Sequence, residues 1–217
     1  MEFIHQVNEA FKEGGWGMWP ILLLSVFWVG LSIERGVYLF RSSVDKQQFM
    51  SLMQKLLAQG NVAQAIKVCS GTSKPLTRIV QAGLMRMNRA EVDVQAAMDE
   101  AALRELPRIE KRTGYLAMIG NVATLMGLLG TITGLIKSFA GVAGVDPSAK
   151  ATLLAKGISE AMNCTAFGLI VGIGALLSFS VLNGKTQGLV DDINETTVQV
   201  MNIVHGTKGG AAPGQEH

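Results

Sequence analysis

Residues 115–136 read YLAMIGNVATLMGLLGTITGLI, from Tyr115 to Ile136, without a single charge. A helix of that length rises about 33 Å, enough to cross a hydrocarbon core about 30 Å thick. One face of it is distinctive. Gly120, Thr124, Gly127, Thr131, Gly134 and Ser138 recur at alternating steps of four and three. At about 100° per residue they stay within a face roughly 80° wide. The stretch therefore predicts a membrane-spanning helix with a continuous stripe of small and hydroxyl side chains.

Two more windows are free of charge, Met18–Ile33 and Ala161–Asn183. The second is long enough to span alone. The first is shorter and reaches full length by starting nearer Gly14 or by taking in Glu34 and Arg35 at its edge; Trp16, Trp19, Trp28 and Tyr38 mark it as membrane-interfacial. Only 17% of the 217 residues are charged, below the quarter usual in soluble domains. The fold class expected is an all-α integral membrane protein with three transmembrane helices, the second and third extended into a cytoplasmic helical region. A net charge of +2 gives no case for a nucleic-acid partner. Cys69 lies in a polar loop and Cys164 inside a span, so no disulfide is expected between them. Met1–Phe11 has neither a basic leader nor an apolar run, so no cleavable signal is expected there.

Loop charge sets the orientation. Twelve Lys/Arg face seven Asp/Glu between Arg41 and Gly114, with Arg104, Arg108, Lys111 and Arg112 crowded before the second span. The segment before the first span holds only Lys12, and the link between the later spans holds only Lys150. The long loop is then cytoplasmic, which puts the N-terminus and the short link outside and the C-terminus in the cytoplasm. The chain divides into an outer amphipathic helix (1–13), a first span (14–40), a cytoplasmic helical domain (41–114), a second span (115–139), a periplasmic turn (140–151), a third span (152–183), a cytoplasmic helix extension (184–205) and a disordered tail (206–217). The amphipathic helix rests on Phe3, Ile4, Val7, Ala10 and Phe11 at helical spacing.

Within the cytoplasmic domain, Phe49, Leu52, Met53, Leu56 and Leu57 form one apolar stripe, Asn61 is a candidate N-cap, and Gly71–Pro75 breaks the helix it starts. A third helix is expected from about Leu76 to Met87. A fourth starts near Glu91, whose acidic first turn suits the helix dipole. That helix is expected to run unbroken into the second span, kinked near Leu103 by Pro107.

The third span repeats the stripe with Ala161, Thr165, Gly168, Gly172 and Ala175. Such faces let membrane helices approach closely, and this packing reading covers Gly120, Thr124, Gly127, Gly134, Gly168 and Gly172. For Thr131 and Thr165 two readings stand: hydroxyls bonded within the helix pair, or hydroxyls lining a hydrated path. Glu160 also has two, a solvated charge at the interface or a functional acid; Lys156 sits one turn outward. On a straight helix Glu160 and Thr165 point about 140° apart, so one of them faces a helix seam. His5, His205 and His217 are near the termini, and neither a phosphate loop nor metal-ligand spacing is present. No catalytic residue, cofactor or metal is expected.

Gly14-Gly15, Met18-Trp19-Pro20, Ser25 and Glu34-Arg35 resemble the first span of the MotA/TolQ/ExbB proton-channel family. Gly127-Leu-Leu-Gly-Thr-Ile-Thr-Gly134 with Phe139 is similar to its second span. Gly157-Ile-Ser-Glu-Ala-Met162 through Thr165-Ala-Phe-Gly168 is similar to its third, and the Gly60-Asn61 helix start and Tyr115–Asn121 also match. Three spans resemble the TolQ/ExbB branch. The resemblance implies a homopentamer in the bacterial inner membrane around a pair of single-span ExbD/TolR-like partners, each with a membrane aspartate. It implies a stator-type proton channel that uses the proton motive force for transport energisation, envelope maintenance or gliding. On its motifs, Thr131, Glu160 and Thr165 fall at pore positions. Many relatives carry a proline near position 173, where this chain reads Val-Gly-Ile-Gly, so any bend there comes from Gly172 and Gly174. The rival reading is a non-conducting membrane scaffold for an envelope complex.

Overall fold

A computed structural model describes residues 15–209, with side-chain surroundings through Gly206. The segment expected as an outer amphipathic helix, 1–13, and the tail beyond 209 lie outside the described residues. Seven helices and no strand occur among those described: α1 Met18–Ser42, α2 Lys46–Ala58, α3 Val62–Ser70, α4 Pro75–Leu84, α5 Glu91–Glu110, α6 Thr113–Gly141 and α7 Pro147–Gly209. Three of these, α1, α6 and α7, contain stretches long and apolar enough to cross a membrane.

The short helices start where side chains can satisfy their first amides. Asp45 accepts from Gln48 N at 3.2 Å to open α2, and Asn61 accepts from Gln64 N at 3.3 Å to open α3. Gly60 takes φ 70° between them, a conformation glycine adopts without penalty. Pro75 opens α4, where a missing N–H costs nothing. The Thr77 hydroxyl closes onto the Thr72 and Lys74 carbonyls at 2.6 and 2.9 Å. The helix ends at Leu84, and the residues to Arg89 follow as tighter turns.

The chain between Glu91 and Gly141 is interrupted, though not at Leu103. Pro107 sits inside α5 without ending it. The break comes at Lys111–Arg112, where Arg112 takes a left-handed φ of 70°. Lys111 N–H still bonds the Pro107 carbonyl at 2.9 Å, so the helix survives one turn past the proline. A non-glycine residue in that region costs about 1–2 kcal/mol; the Arg112 guanidinium binds Glu34 of α1 at 2.5 Å.

Contacts divide the chain into two units. In the first, residues 15–35 and 112–182, Ile21, Ala123, Cys164 and Val171 form a buried core, with Leu24, Trp28, Met126 and Phe167 packed on it. Trp28 donates its indole N–H to Ser178 Oγ at 3.0 Å, which satisfies the one polar atom that this ring brings into the bundle. In the second unit, residues 36–111 and 183–209, helices α2 to α5 stack in chain order. Gly83 lets α4 close on α5: a β-carbon there would stand 2.5 Å from Met98 Cγ. Glu105, on α5, binds Arg78 at 3.1 Å and Arg108 at 3.2 Å. Lys46 binds Glu195 and lies 3.4 Å from Asp192, and the bond to Glu195 holds its ammonium above the ordinary lysine range. Cys69 is 0% exposed, and burial pushes its thiol up to about 11.

Candidate functional site

The stripes on α6 and α7 meet. A β-carbon built on Gly127 would lie 3.2 Å from the Gly168 Cα, and one on Gly168 would lie 2.8 Å from the Ala123 carbonyl. Gly120 comes as near to the Gly172 carbonyl, at 3.0 Å, and Gly134 to the Ala161 β-carbon, at 3.1 Å. The obstructing atoms are mostly backbone, which cannot swing aside. The two helices therefore approach main chain to main chain over nearly four turns of α6. Thr124 bonds the Gly120 carbonyl of its own helix at 3.0 Å and lies against Gly172.

This closeness brings Thr131 and Thr165 together. Their hydroxyls are in direct hydrogen-bond contact across the seam. Thr165 Oγ1 also reaches the Gly127 carbonyl at 3.1 Å, and Thr131 Oγ1 reaches Gly127 O at 3.2 Å and Ala161 O at 3.4 Å. Each hydroxyl has one proton to donate and two lone pairs. Thr131 thus has three acceptors for a single hydrogen, and the pair can redistribute its donors by rotating C–O bonds alone. Both residues are only half-buried, so one side of the pair is open.

Glu160 is not part of that cluster. It lies nearer the end where Gly141 turns through a short link into Pro147, and its carboxylate rests against Gly15, just ahead of α1, so that any side chain at Gly15 would overlap it. The divergence expected between Glu160 and Thr165 along α7 is realised in this way: Thr165 faces α6 in the seam, and Glu160 faces the beginning of α1. Glu160 lines two spaces. One is a cleft of about 210 Å3 that it shares with Lys137, Ser138 and Lys156. The other is a cavity of about 10 Å3 bounded by Trp16, Gly17, Gly130, Gly134 and Lys137, room for roughly one water.

Two members of this site escaped the sequence reading. Lys137, just past the apolar run, looks in isolation like a charge ending a span; only the fold sets it beside Glu160 twice over. Gly15, with φ 68°, is legible as a turn residue but not as the surface against which Glu160 rests. Among the described residues no group of three or more His, Cys, Asp or Glu is placed to hold a metal.

Comparison with known proteins bears on this geometry. Residues 72–195 match the model of the MotA/TolQ/ExbB proton channel family, a region that holds Thr131, Glu160 and Thr165. An ExbB-like biopolymer transport protein of Synechocystis sp. is 33% identical over 80% of this chain and 69% of its own. The biopolymer transport protein ExbB of Salmonella typhimurium is 25% identical over 86% of this chain and 84% of its own. The Tol-Pal system protein TolQ of Haemophilus influenzae is 31% identical over 54% of this chain and 51% of its own. With the three apolar helices and the match across α6 and most of α7, the chain belongs to the MotA/TolQ/ExbB proton channel family.

Proposed function

We propose that the chain is the pore-wall subunit of a proton-driven inner-membrane complex, with its N-terminus periplasmic and its C-terminus cytoplasmic. Five copies surround a pair of ExbD/TolR-like single-span partners. The observation that carries this reading is the Thr131–Thr165 hydroxyl pair in a helix seam with no carboxylate or imidazole of the chain's own between residues 115 and 136 or 161 and 183. Hydroxyls do not titrate in the working range, and a proton relay across a bilayer needs a titratable group. The pair therefore serves an acid supplied in trans, the partner's membrane aspartate. When that carboxylate is charged, the threonines donate to it. When it is protonated, their lone pairs accept its O–H. Glu160 sets the field where protons arrive from the periplasm. The work done is transport energisation, envelope maintenance or gliding.

The test is proton uptake by liposomes carrying the chain with its single-span partner. Thr131→Ala with Thr165→Ala is expected to lower the flux about tenfold or more while the complex still assembles. A complex that assembles and conducts nothing even with native threonines identifies a membrane scaffold instead.

A further inference from the structure

The cleft beside Glu160 contains two lysines, Lys137 from α6 and Lys156 from α7. We propose that Lys137 and Lys156 exclude alkali-metal cations from the Glu160 mouth, so that protons alone use it; the inference rests on the proton-pathway reading above and adds the residues that set its ion specificity.

A carboxylate open to water attracts any small cation. Holding a metal ion there takes several more oxygen ligands around it, and membrane transporters that bind sodium supply them largely from unwound backbone carbonyls. This cleft has few to offer. Helix α7 is unbroken along its side of the cleft, so its carbonyls there are engaged in helical bonds; α6 ends at Gly141, at the edge of the cleft, and leaves open only the carbonyls of its last turn. Ser138 Oγ donates to the Gly134 carbonyl at 2.8 Å and keeps its lone pairs, so besides Glu160 it is the one side-chain oxygen lining the cleft. Gly134 and Gly157 bring no side chain at all. The groups that remain, Lys137 and Lys156, are ammonium donors with no lone pair to give.

Charge acts in the same direction. Two ammoniums against one carboxylate leave the cleft at 2 − 1 = +1, which repels a small cation approaching it. Fixed cations of this kind are a known means of keeping other cations out of a pore. The fixed charge repels a proton as it repels sodium, but the missing ligand shell handicaps only the metal ion. A proton arrives by exchange along water and needs no ligand shell, and the Glu160 carboxylate borders a cavity sized for roughly one water.

The experiment uses the full-length chain with its single-span partner in liposomes, with proton uptake followed by a trapped pH dye and sodium uptake by 22Na+. The native complex should move protons and exclude sodium. Lys137→Gln with Lys156→Gln should raise sodium uptake about tenfold and raise it relative to proton uptake, and Lys137→Arg with Lys156→Arg should restore exclusion. Sodium uptake unchanged in the glutamine pair, or raised equally in the arginine pair, overturns the assignment and leaves the proton pathway standing. A native complex that carries sodium overturns it as well. If the glutamine pair conducts nothing, each single glutamine variant decides: sodium uptake above native supports the assignment, and native exclusion in both overturns it. A native complex that moves no protons at all removes the pathway reading itself.

Discussion

Thr165 Oγ1 lies 3.1 Å from the Gly127 carbonyl across the α6–α7 seam, and Thr131 approaches the same oxygen from within its own helix at 3.2 Å. One carbonyl thus organises both hydroxyls. The donor that it releases is the one available to an incoming acid. Thr165→Ser, which keeps the hydroxyl, should hold proton flux within about twofold of native. Thr165→Val, which keeps the shape and loses the hydrogen bond, should lower flux about 2- to 10-fold, the worth of one such bond. Flux in reconstituted liposomes reads the difference; equal loss in both variants assigns the effect to packing.

The glycines at the seam should be intolerant in proportion to what a side chain meets. Gly168→Ala would press a methyl against the backbone of Ala123 and Gly127 and should cost about 1–3 kcal/mol. Gly30, with nothing within 4 Å, serves as the control: Gly30→Ala should be neutral or slightly stabilising, since alanine is the better helix former. Thermal unfolding in detergent measures both.

At Arg112 two effects oppose each other. Arg112→Gly loses an exposed ion pair with Glu34, worth about 0.2–1 kcal/mol, and relieves a left-handed backbone worth about 1–2 kcal/mol. Stability should therefore be unchanged or slightly raised. Arg112→Val loses the pair and keeps the strain, and should be less stable than native. The ordering of the two variants in denaturant unfolding checks the backbone assignment.

Cys69 should be silent to alkylation. Its thiol is raised from 9.0 to about 11 by burial, so at pH 7 about one molecule in ten thousand carries the reactive thiolate. Maleimide labelling should be slow in the folded protein and rapid once denatured. The sign for stability follows: the folded form resists ionisation, so this group leaves stability level below pH 9 and lowers it as pH rises from 9 to about 11. Cys69→Ala should flatten that decline.

Much of the architecture was legible without coordinates, because its causes are local. Charge-free runs such as Tyr115–Ile136 need only hydrocarbon to be read as spans, and Asn61 needs only the amide of Gln64, three residues on, to start a helix. The small-residue stripe followed from periodicity alone. Other features depend on how helices are rotated against one another, which no single helix encodes. The break at Arg112, the joining of Thr131 to Thr165, and the setting of Glu160 among Gly15, Lys137 and Lys156 all arise there. Sequence by itself determined that α6 and α7 each carry a face without bulk. Tertiary structure decided that those faces meet main chain to main chain, and that contact fixes the rotation of each helix, which turns Thr165 into the seam and Glu160 toward α1.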